Sequence, residues 1–184
     1  MTNDTKIALQ QATEAITAAR DNADQEKRVC LAQIASELPA RAAEVAKRIA
    51  LEQPEVTKAL GKEGIAELRA DLQTAAEDLG RQFVAATDEI DWPLGTSYSK
   101  VDNRHVHSAL FNRFYGRTGA LTKVLTTHGY NTGQSEPFLP QYLYTESSFT
   151  PLAAALTALG VATESFQMAK RADDDATVDN LWGD

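Results

Sequence analysis

The clearest pattern in the chain runs from Ile65 to Phe83. Ile65, Leu68, Leu72, Ala75, Leu79 and Phe83 fall three or four residues apart, the spacing that puts side chains on one face of an α-helix. The stretch before it, from about Thr5 to Leu38, is rich in the helix formers Ala, Gln, Glu and Lys, and Asp4 is placed to cap its start. Its apolar positions are sparse at first (Ile7, Ile16) and denser later (Val29, Leu31, Ile34), and Arg20 to Arg28 is almost wholly polar. This predicts a long N-terminal helix or helical hairpin, with residues 1–38 projecting into solvent or breaking near Asn22. Proline suits the first turn of a helix better than its interior. Pro39 is therefore expected to open a second helix to about Leu51, carrying Ala42, Val45 and Ile49. Pro54 opens a short third helix that ends before the turn Gly61-Lys62-Glu63-Gly64.

After Asp91-Trp92-Pro93-Leu94-Gly95 the spacing predicts a loop to Val101. A helix from about Asn103 to Thr127 follows, capped by Asp102, with the stripe Val106, Leu110, Phe114, Leu121, Val124 and Leu125. Gly116 and Gly119 interrupt it and mark a kink or a close backbone contact. Residues 129–146 form a long loop, a length uncommon in compact domains and often functional. Ser148 is placed to cap a last helix to about Arg171, with Leu152, Leu156, Leu159 and Phe166 on its stripe. No run alternates strictly between apolar and polar, so no large sheet is expected, although short strands between 135 and 145 stay open. The fold expected is all-α: an irregular antiparallel helical bundle of about five or six helices, one domain over 1–171, with an acidic tail over 172–184.

Composition narrows the class. Apolar residues make up 43% of the 184, enough for a core, which weighs against disorder of the whole chain. The single cysteine, Cys30, builds no disulfide framework and points to a reducing compartment. Met1-Thr2-Asn3-Asp4 lacks the basic start and apolar run of a signal peptide. Pro151 to Ala162, the most apolar stretch, is too short to span a bilayer. A cytoplasmic protein that does not enter a membrane is expected, and the Ala-rich, Lys-poor composition suggests a bacterial source.

Charge changes the picture more. The net charge is -8, which weighs against a protein that coats nucleic acid over its whole surface. Yet residues 93–135 hold five cations (Lys100, Arg104, Arg113, Arg117, Lys123) against one acid, Asp102. Such an island either neutralises acidic neighbours or binds an anion. On an unbroken helix Arg113 and Arg117 fall on or beside the stripe of Leu110 and Phe114, and a guanidinium there needs a carboxylate or an anionic ligand. Lys100, Arg113, Arg117 and His128 are the candidate anion-binding residues. His128 also stands where a helix C-terminus favours a cation.

Other chemistry is thinner. His105 and His107 point to nearly opposite sides of a helix, so no shared metal is expected, and Asp102 with His105 reads most simply as a cap. Cys30, between Val29 and Leu31, reads as a small core thiol. Gly95-Thr96-Ser97-Tyr98-Ser99-Lys100 lacks the glycine and hydroxyl residue that flank a phosphate-loop lysine. Tyr98, Phe111, Phe114, Tyr115 and Tyr130 lie among the cations, as bases of single-stranded nucleic acid would require, although core packing is the commoner role.

The tail offers a different function. Asp173-Asp174-Asp175 precedes Val178, Leu181 and Trp182, in which acids steer towards a basic partner and a leucine and tryptophan anchor. The first expectation is a non-catalytic interaction, assembly or regulatory protein that binds another protein or itself, docking through Val178, Leu181 and Trp182, with no cofactor and no metal. The alternatives are a binding or catalytic protein for a phosphate-bearing ligand at 93–135, and, less favoured, nucleic-acid binding through the same segment.

Overall fold

The computed structural model describes residues 2–134 and 136–183. It is all-helical. Among the described residues six α-helices follow one another: α1 (Thr2–Glu52), α2 (Pro54–Ala85), α3 (Asn103–Phe114), α4 (Gly119–Thr127), α5 (Pro140–Leu143) and α6 (Thr150–Trp182), with 3-10 turns at Thr87–Glu89 and Glu146–Phe149. Among the described residues there is no strand. The segment in which short strands stayed open holds turns and α5 instead. The chain forms two compact units. One comprises residues 1–27, 92–106 and 149–184, the other residues 28–91 and 107–148.

In the first unit α1 and α6 run antiparallel. Ile16, Ala23, Ala155 and Leu159 are buried together, with Ala19, Ala162 and Phe166 packed against them. Further along, Thr5 Oγ1 donates to Asp173 Oδ1 at 3.0 Å. Small side chains let the two backbones approach, so the polar middle of α1 neither projects nor breaks near Asn22: Ala23 is fully buried in the seam. The loop before α3 lies along α6. Gly95 N–H donates to the Leu156 carbonyl at 3.2 Å, Ser97 N–H to the Glu164 carboxylate at 2.9 Å, and Val101 N–H to Thr157 Oγ1 at 2.9 Å.

In the second unit the rest of α1 turns back on α2 through the single residue Gln53. Pro39 does not open a helix here but lies inside α1. Its ring removes one backbone donor, a cost of roughly 3 kcal/mol in a helix interior. Leu31, Ile34, Leu38, Ala42 and Val45 nevertheless form one unbroken buried stripe across it, and each buried leucine contributes about 1.5–3 kcal/mol. The burial wins. Ala35, whose carbonyl the proline leaves without its in-helix donor, lies against Gly80 of α2: a Cβ on Gly80 would stand 3.1 Å from Ala35 Cβ and 3.3 Å from its oxygen. Gly61 breaks α2 locally, at φ 63° and ψ -171°. Phe83 of α2 stacks on Phe114 of α3, with ring centroids 3.6 Å apart.

Candidate functional site

Helix α6 does not end near Arg171. It continues through the acidic segment to Trp182, and Ser148, expected to cap it, instead bonds the Thr145 carbonyl at 2.6 Å within the preceding 3-10 turn. Its distal turns are therefore a built surface. At 3.6 residues per turn, Asp174, Asp175, Val178, Leu181 and Trp182 share one broad face, while Asp173 faces α1 through Thr5. Val178 is 53% exposed, Leu181 77% and Trp182 85%. Asp174, Asp175 and Asp179 are exposed beside them. Among the described residues after Arg171, α6 carries no cation.

The cationic segment is largely engaged from within. Gly116, at φ 78°, separates α3 from α4, so the unbroken helix that would have aligned Arg117 with the core stripe does not form. Arg117 is exposed. Arg113, in the last turn of α3, pairs with Glu89. His128 is the C-cap of α4, its N–H bonded to the Val124 carbonyl at 3.2 Å. Its ring Nε2 lies 2.9 Å from Asp71 Oδ2 on α2. These three residues belong to the second unit and Lys100 to the first.

Lys100 lines an open cleft of about 670 Å³ with Val101, Asp102, Arg104, Ala154 and Ala158 among its walls. The cleft's charge is partly cancelled. Arg104 Nη2 donates to Asp102 Oδ2 at 3.1 Å, and Asp102 Oδ1 accepts from the His105 N–H at 3.1 Å, capping α3. The His105 amide above all, and Arg104 next, hold the Asp102 carboxyl below the usual carboxylate range. Glu164 is likewise lowered, by the Ser97 hydroxyl and then the Ser97 amide.

His107 sits apart from His105 and half-buried, its ring edge-on to Tyr144 at 5.4 Å. Its Nδ1 lies 3.6 Å from Glu146 Oε1. Burial above all, then the Glu146 carboxylate and the Cys30 thiol, pushes the Tyr144 hydroxyl well above the usual phenol range. Cys30 is a buried free thiol. Among the described residues no group of three or more His, Cys, Asp and Glu is arranged to hold a metal, and no helix is long and apolar enough to cross a membrane.

A second cationic surface escaped the reading of the sequence. Arg41, Glu44, Val45, Lys47, Arg48 and Leu51 of α1, with Gln141 and Tyr142 of α5, line a groove of about 470 Å³. The Arg48 guanidinium carbon stands 5.1 Å from the centroid of the Tyr142 ring, a cation–π contact. Arg41 Nη2 donates to Thr145 Oγ1 at 2.6 Å. Charge counted over the whole N-terminal half averages this face away. The signal that would have found it is the spacing of Arg41, Glu44, Val45 and Arg48, which share one side of α1.

Fold and surfaces together define an all-α protein that presents an acidic, apolar helix end and a cationic groove. Comparison with known protein families, curated proteins and solved structures finds no match to this chain.

Proposed function

We propose that the protein is a non-catalytic interaction or assembly subunit that docks through the distal turns of α6. One observation carries this: Val178, Leu181 and Trp182 are ordered on a helix yet stay 53–85% exposed. Exposing a leucine and a tryptophan side by side forgoes several kcal/mol of burial, which a partner's pocket restores. Large aromatics of this kind dominate binding energy where they insert, and the aspartates beside them favour a basic partner surface. The cytoplasm is the proposed compartment, consistent with a lone, buried thiol.

The phosphate-binding alternative keeps Lys100 in the first unit and Arg117 in the second as separate candidates, because Arg113 and His128 already face Glu89 and Asp71. It has the weaker support.

The test is affinity capture from native lysate with full-length bait, bait ending at Arg171, and full-length bait carrying Trp182→Ala. A partner, or a second copy of the chain, retained by the full-length bait and lost from both others supports docking through α6. Equal retention by all three baits sinks it.

A further inference from the structure

We infer that the distal end of α6 in one copy seats in the groove of α1 and α5 in a second copy. This rests on the docking reading above and names its partner. The two surfaces match in charge and in kind. The α6 face offers Asp174, Asp175 and Asp179 around Val178, Leu181 and Trp182, all exposed. The groove offers Arg41, Lys47 and Arg48 against one acid, Glu44, around an exposed Leu51 and a Tyr142 that is 45% exposed, with Val45 itself buried.

Both sides have helical register. Val178 and Trp182 are one turn apart on α6, and Arg48 and Leu51 about one turn apart on α1, so a helix laid in the groove sets its apolar groups against the exposed Leu51 and Tyr142 and its carboxylates within reach of Arg41, Lys47 and Arg48. The Arg48–Tyr142 pair presents a ring and a guanidinium against which an indole stacks.

The cleft at Lys100 is a poorer receptor. Its second cation, Arg104, is already paired with Asp102. The groove's cations are less occupied: Arg41 lies 3.6 Å from Glu37, while Lys47 and Arg48 form no ion pair among the described residues.

The contact joins two different surfaces, which gives it a distinctive signature. Trp182→Ala removes the anchor and keeps the groove, whereas Arg48→Glu spoils the groove and keeps the anchor. Both side chains are exposed, so at the lowest concentration, where wild type is monomeric, both variants should keep the wild-type melting temperature. Sedimentation of the full chain at low salt, over about a hundredfold range of concentration, should show wild type gaining mass with concentration and each variant staying monomeric. An equal mixture of the two variants should form a dimer, since one intact anchor and one intact groove remain between them. Lys100→Glu should associate like wild type.

Wild type that stays monomeric throughout overturns self-docking. If Trp182 still governs capture of a different protein from lysate, the docking reading survives that loss. Association that persists in Arg48→Glu, or a variant mixture that stays monomeric, overturns the groove as the seat.

Discussion

Gly160, in the interior of α6, shows how one residue sets the path of a loop. A Cβ built there collides with the backbone of Gly95, its carbonyl oxygen above all, so the loop from Trp92 to Val101 lies flat on α6 only because both positions lack side chains. Gly160→Ala gains about 1 kcal/mol of helix propensity, but the backbone clash costs more. We expect a net loss of about 1–2 kcal/mol, read as a lower melting temperature. Gly119 is the control: nothing lies within 4 Å of a Cβ there and its φ is not positive, so Gly119→Ala should stabilise by about 0.5 kcal/mol. The same loop carries a pH dependence. Asp102 and Glu164 have carboxyls lowered by amide and hydroxyl donors. The unfolded chain therefore binds their protons more readily, and their contribution to stability is present above the ordinary carboxylate value of roughly 4 and lost as pH falls below it. Protection of the Ser97 amide, its exchange taken relative to the intrinsic rate at each pH, should fall through that acid range, and protection that stays constant would contradict it. Tyr144 acts at the other end: its raised hydroxyl keeps the folded form neutral while the unfolded form ionises, so stability should fall as pH rises above about 10. None of this was legible in the sequence except the cap. Asp102 before Asn103-Arg104-His105 reads as a cap and is one, because capping depends on neighbours in the chain. Gly95 and Gly160 are partners across 65 residues, and no local pattern links them.

Among the elements, the periodic ones were legible and the proline was not. The stripe from Leu68 to Phe83 is the buried face of α2, and Leu152, Leu156 and Leu159 face the core from α6, because burial is what the 3.6-residue period records. Pro39 misleads since its local cost is real but smaller than the burial of the stripe running through it. Pro39→Ala should therefore restore a donor to Ala35 and raise stability by about 2 kcal/mol, after allowing for the entropy that proline removes from the unfolded chain. Equilibrium denaturation measures this, and a destabilised variant would mean that the missing donor is needed for the close approach of Gly80. Gly116 had the opposite character. Its break between α3 and α4 was foreseen as a kink, and it moves Arg117 from the core stripe to the surface. The acidic segment after Arg171 reads as a tail because aspartates are weak helix formers, whereas α6 carries its helix through them to Trp182, with Asp173 tied to Thr5.

At the scale of the whole molecule, charge organises the surfaces. A net charge of -8 repels like copies at long range, so association between an acidic helix end and a cationic groove depends on local complementarity. Salt screens such exposed pairs within about 8 Å at physiological ionic strength. Self-association should therefore weaken as salt rises; association that strengthens with salt would point to a contact dominated by Leu181 and Trp182 alone. Removing residues 172–184 should abolish it at any salt while leaving both units helical by circular dichroism. The sequence by itself determined that the chain is all-α, that apolar stripes at helical spacing build its core, that 93–135 is cationic and that the last residues join acids to a leucine and a tryptophan. These are properties of composition and short spacing. Only the tertiary structure decided that Arg113 and His128 meet Glu89 and Asp71, that α1 passes through Pro39, and that Arg41, Lys47 and Arg48 join Tyr142 in a groove. Each depends on residues far apart in the chain, whose pairing is settled by which faces are buried together.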